Sequence, residues 1–221
     1  MSILHSFTVR VYCKAVPKRV DHEQRRAEII VGLWAVINGR GIEGVTYQAV
    51  AQATRISAGR IQHYFASKDD LILAGCRAIV ERASDRYANR AASLEPHEAL
   101  RDLLAEPIPH TTSFRLGVAV WSACVVRGGI DPAIGAIIAE SAQGTIKEAQ
   151  TLLSAMGTPR DQVPREALRL VSLSNGLTQR VLIGAASAQE ALEVLAAEIP
   201  VVRNAPTSPT LSPSPSRPKS R

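Results

Sequence analysis

The stretch from Thr46 to Lys68, TYQAVAQATRISAGRIQHYFASK, constrains the fold more than any other part of the chain. Ala49, Val50 and Ala53 place small apolar groups on one face of a short helix. Thr46 stands before it as an N-cap, because its hydroxyl can accept one of the amides a helix start leaves unpaired. Thr54, Arg55 and Ile56 make a turn, and Ser57 caps a second helix from Ala58 to Phe65. Ile61 and Phe65 lie four apart and share its buried side. Arg60, Gln62, His63 and Tyr64 are left on a mixed outer face.

A short helix with small residues at its start and Arg and Gln on its surface suits the major groove of duplex DNA. There an arginine pairs bidentately with guanine and a glutamine with adenine. The plainer alternative is a surface helix of an ordinary bundle, a protein-interaction module with no DNA role. Arg60 and Gln62 are the candidates for base discrimination, with His63 and Tyr64 close to phosphates or thymine methyls. Thr46 and Ser57 offer hydroxyls and helix-start amides to phosphates, and Lys68 a clamp on the backbone.

Ile56 to Phe65, followed by Ser67-Lys68-Asp69-Asp70-Leu71, resembles the signature of the TetR family of transcriptional regulators. Val45-Thr46 and Ala49-Val50-Ala51 match as well, as does an upstream amphipathic helix with an aromatic residue near its end; the likeness covers residues 21–75. It implies an all-α fold, with a three-helix helix-turn-helix head (21–68) on a larger helical regulatory and dimerisation domain (69–202). It implies DNA contacts at Thr46, Ser57, Ala58, Arg60, Gln62, His63, Tyr64 and Lys68. It further implies a cytoplasmic homodimeric repressor acting on a near-palindromic double-stranded operator, with its affinity set by a small effector.

Upstream, Asp21 to Asn38 reads as a helix, with Ala27, Ile30, Val31, Trp34 and Ile37 in helical register and Gly39 and Gly41 ending it. The glycine-rich run from Gly39 to Gly44 lacks the preceding strand and the Lys-Ser/Thr pair of a phosphate loop, so it is a turn. Downstream, Ser67 opens a helix to about Ala91, and a short one runs from His97 to Ala105. Next come a strongly apolar helix from Phe114 to Arg127, one from Asp131-Pro132 to about Met156, one from Pro164 to about 185, and a last helix capped by Ser187. Small residues on two of these stripes (Ala142, Gly144, Ala149, Ser174, Gly176) permit the close approach of a dimer interface. Phe114, Val118, Trp121, Cys124 and Val125 share one side of the most apolar helix and are the candidate lining of an effector pocket. Few ionisable groups fall there, which predicts a mostly apolar ligand with one or two polar anchors.

The formal charge of +6 belongs to the ends of the chain. Residues 1–20 hold four cations and the tail from Arg203 four more, neither with an acid, leaving 18 basic against 20 acidic residues between them. The 203–221 tail is dominated by Pro, Ser and Thr and is expected to be disordered. No apolar run is long enough to span a membrane. Cys13, Cys76 and Cys124 have neither metal nor disulfide-framework spacing, and idle thiols in a reducing compartment are expected. His5, His22, His63, His97 and His110 form no metal or catalytic constellation, so no cofactor and no enzyme activity are expected.

Residues 1–20 read as a flexible arm, or else Val16 marks the natural start, with family-like text beginning at Val16-Pro17. If Val16 is the start, a chain beginning there melts and binds DNA like the full chain. A substantially lower melting temperature would make the arm structural.

Overall fold

The computed structural model describes residues 18–200; the expected arm start and the Pro/Ser-rich tail lie outside the described residues. The described chain is helical throughout, with no strand. The first helix, α1 (Lys18–Arg40), begins three residues ahead of the expected Asp21 cap and ends at Gly41, whose φ of 71° breaks the helix. A 3-10 turn (Ile42–Gly44) leads through buried Val45 to α2 (Tyr47–Thr54) and α3 (Ala58–Tyr64).

The inward face of α1 is Ile29, Ile30, Leu33, Val36 and Ile37, all buried. The sequence reading placed Ala27 and Val31 on that stripe, yet both are exposed, Val31 by 50%. Two sides of α1 are apolar because it meets two neighbours. One side closes the head core, while Val31, Trp34 and Ala35 turn toward a cavity.

Behind the head run α4 (Lys68–Ala91), α5 (Pro96–Ala105), α6 (Thr112–Gly128), α7 (Pro132–Ala155), α8 (Val163–Leu182) and α9 (Ala188–Glu198). Side-chain caps start most of them. Ser67 accepts from the Asp70 amide at 3.0 Å, Asp131 accepts from Ala133 and Ile134, and Ser187 with Glu190 forms a reciprocal capping box. Among the described residues no helix is long and apolar enough to cross a membrane.

Two apolar cores result. The first joins α1, α2, α3 and the first half of α4, and also takes in Val120 and Cys124 of α6 and Ile134 of α7. The second lies among α5, α7, α8 and α9. The head is therefore seated on α6 and α7 by continuous packing as well as by the chain running into α4. Within the second core lie Ala149 and Ser174, whose hydroxyl donates to the Leu104 carbonyl at 2.6 Å. Leu177 also packs against it. Ala149 and Ser174, two of the small residues expected at a dimer interface, thus face their own subunit. Gly176 and Ala142 are exposed, and so are Leu168 (55%) on α8, Ile183 just after it and Val194 on α9.

The corner between α6 and α7 depends on two glycines in contact. A Cβ on Gly135 would stand 2.7 Å from the carbonyl oxygen of Gly128, which is backbone and cannot swing aside. Gly135→Ala is accordingly expected to lower stability by about 1–3 kcal/mol, read from urea unfolding. An unchanged midpoint would mean that the corner yields.

Candidate nucleic-acid interface and ligand cavity

The head presents α3 outward on a frame of three helices. Thr46 accepts from the Ala49 amide at 3.0 Å and Ser57 from the Arg60 amide at 3.3 Å, so each short helix is closed at its start. The turn between them needs Arg55 in the left-handed region (φ 59°), and Ile56 beside it is buried. Thr54 steadies this turn by donating to the Val50 carbonyl and accepting from the Ile56 amide. Gly32 of α1 lets α2 approach closely, since a Cβ there would meet the Thr54 methyl at 2.0 Å.

Ile61 and Phe65 are fully buried and anchor α3 from below. Arg60, Gln62 and His63 are exposed on its far side, and Ser57 and Thr46 are exposed at the two helix starts. Ala58 and Lys68 are half-buried, and Gly59 has open space around it. Ala53, expected on the inner face of α2, is exposed. Of the eight candidate contact residues, Thr46, Ser57, Arg60, Gln62 and His63 are thus exposed, and Ala58, Tyr64 and Lys68 are half-buried. The Tyr64 ring lies 4.5 Å from that of His22 on α1.

Three contacts at this end of the head escaped the sequence reading. Arg26 donates to the Tyr64 carbonyl at 3.4 Å and lies over the Phe65 ring at 4.5 Å. Tyr47 donates its hydroxyl to the Phe65 carbonyl at 3.0 Å. The helical i, i+4 spacing of His22 and Arg26 on α1 was visible; the partners 38 and 42 positions away were not.

The second feature is a cavity of about 1590 Å³ bounded by α1, α4, α5, α6, α7 and α8. Of the five sequence candidates, Phe114, Val118 and Trp121 line it. Cys124 and Val125 do not. Cys124 is buried in the head core against Cys76 of α4, while Val125 is 43% exposed on another side of α6. The hydrogen bond between the two thiols, with burial added, pushes the Cys124 thiol up, so it stays protonated.

The wall is also less apolar than the sequence suggested, because α4 and α7 bring charge to it. Arg86 binds Glu106 at 2.7 Å and lies 5.0 Å over the Phe114 ring. Arg82 lies 5.0 Å over Trp34. Tyr87 of α4 donates to Glu148 of α7 at 3.1 Å, and burial together with that carboxylate drives its phenol well above the usual range. Glu140, two turns before Glu148 on α7, lies on the same wall. Among the described residues no cluster of three metal-binding side chains occurs.

Comparison with known proteins agrees with this layout. Residues 29–74 match the family model described as bacterial regulatory proteins, tetR family. Residues 96–202 match that described as the BetI-type transcriptional repressor, C-terminal. The regulator PksA of Bacillus subtilis is 33% identical over 49% of this chain and 53% of its own length. The chain thus spans about half the length of that relative. The regulator BetI of Burkholderia lata is 29% identical over 75% of this chain and 86% of its own length. Among solved structures, a regulator from Saccharomonospora viridis in complex with choline superposes with a TM-score of 0.70. It is 22% identical and covers 78% of this chain and 94% of its own, so it speaks to the fold. With its helix-turn-helix head and helical body, the chain belongs to the TetR family of transcriptional regulators.

Proposed function

We propose that the protein is a ligand-responsive repressor that works in the cytoplasm as a homodimer on a near-palindromic operator. The observation that carries this reading is the position of the cavity. Its walls include α4, which continues directly from the head, and α6 with α7, on which the head rests. A molecule entering there bears on the angle between α4 and the α6–α7 pair, and hence on the head. It shifts the protein only by the difference between its affinities for the two arrangements.

The effector matching this wall has an apolar body, against Val118 and Trp121, and a cationic group. Glu148 has a neutral phenol as its partner in the wall, so a cation there gains a charge-assisted contact without displacing an arginine. Neighbouring aromatic faces add cation–π attraction. The Saccharomonospora viridis relative, crystallised with choline, makes choline the first compound to try. Dimerisation is assigned to the α8–α9 side, where Leu168, Ile183 and Val194 are exposed.

The operator is obtained by selecting bound sequences from a random duplex library. Arg60→Ala should then weaken the selected site by about 1–3 kcal/mol and relax preference at one position, while Lys68→Ala weakens all sequences alike and flattens the salt slope. An unchanged ratio of selected to random binding in Arg60→Ala would remove Arg60 from base readout.

Leu168→Glu should yield monomers in sedimentation that lose the operator. In the wild-type chain, whose Trp34 and Trp121 both line the cavity, choline that frees the DNA should change tryptophan emission over the same concentrations, and Trp121→Phe gives the share that comes from Trp121. Release with Trp121 silent would move the effector away from this wall.

A further inference from the structure

The link between α3 and α4 is a tight elbow, Phe65 to Ser67, and its backbone is held by side chains from three different helices. The Tyr64 carbonyl accepts from Arg26 of α1. The next carbonyl, of Phe65, accepts from the Tyr47 hydroxyl of α2. The next amide, of Ala66, donates to the Asp70 carboxylate of α4 at 3.2 Å. Three consecutive residues are thereby each tied to a different neighbour.

A seven-residue helix has little stability of its own, and its last carbonyls lack partners within the helix. Apolar contact through Ile61 and Phe65 holds α3 down but resists rolling and sliding poorly, because such contact has no direction. Hydrogen bonds do have direction. The Arg26 guanidinium also places positive charge at the carbonyl end of α3, where the helix dipole favours it.

Building on the reading of α3 as the DNA-reading helix, we propose that Arg26 and Tyr47 are positioning residues for recognition. By clamping successive carbonyls at the end of α3, they fix the roll at which Arg60 and Gln62 meet base edges. Neither residue needs to touch DNA for this. Their effect therefore belongs to sequence discrimination and not to general attraction for phosphate.

The test uses the full chain and the sequence that the wild type selects from a random duplex library. Tyr47→Phe removes one hydroxyl and keeps the ring; Arg26→Met keeps the aliphatic stem and removes the donor and the charge. Each is expected to bind the selected site about five- to ten-fold more weakly. Affinity for random duplex, its salt slope and the melting temperature should stay at wild-type values for Tyr47→Phe. Arg26→Lys, which retains a donor, should recover part of the loss. Equal losses on selected and random DNA, or no loss on either, would overturn the assignment, as would a melting temperature that falls in step with affinity. A wild type that enriches no sequence at all would overturn the DNA reading itself, and this inference with it.

Discussion

The crossing of α1 over α4 is the contact on which the rest of the molecule depends. It is close because Gly75 has no side chain: a Cβ there would stand 2.4 Å from the Leu33 side chain. At the same point the Trp34 indole donates to the Gly75 carbonyl at 3.1 Å. An indole placed this way presents its other side to the cavity, where Arg82 lies across it. One residue thus closes the head core, marks the crossing and forms part of the cavity wall. The crossing ties the head to the long helix behind it through this hydrogen bond and close packing.

Local chemistry made most of the helix plan legible in the sequence. Thr46, Ser57, Ser67, Asp131 and Ser187 announce helix starts through hydroxyls or carboxylates that pair with amides within three residues. Such bonds need no knowledge of the fold. The errors came where one helix has two apolar sides. Val31 and Val125 fit an inward stripe by spacing, yet one faces the cavity and the other solvent. Periodicity marks a side as apolar without saying which neighbour covers it.

The same limit explains the character of the cavity. Reading α6 alone suggested an apolar pocket, since Phe114, Leu116, Gly117, Val118 and Trp121 are what that helix contributes. The charge arrives from other helices: Arg82 and Arg86 on α4, Glu106 after α5, Glu140 and Glu148 on α7. No spacing rule connects Tyr87 to Glu148, which are 61 positions apart. Likewise Arg26 and Tyr47 read as ordinary helix residues until the fold brings both to the end of α3.

The attachment of the head to the α6–α7 corner divides into a strong part and a weak one. Arg127 of α6 reaches Glu43 in the 3-10 turn at 2.8 Å, but Glu43 is 71% exposed there. An ion pair in that setting contributes no more than about 1 kcal/mol and is screened by salt. It cannot be what keeps the head in place. The apolar part, with Val120, Cys124 and Ile134 buried in the head core, contributes roughly 1.5–3 kcal/mol for a residue the size of isoleucine. Inverting a two-state balance from 1:99 to 99:1 takes about 5.5 kcal/mol of differential affinity. A change in the angle between α4 and α6 therefore need not separate the head from the corner, which would expose several such residues at once. Tilting α4 while the buried contacts slide is the cheaper motion, and a solvent-exposed ion pair at the rim can re-form after each step.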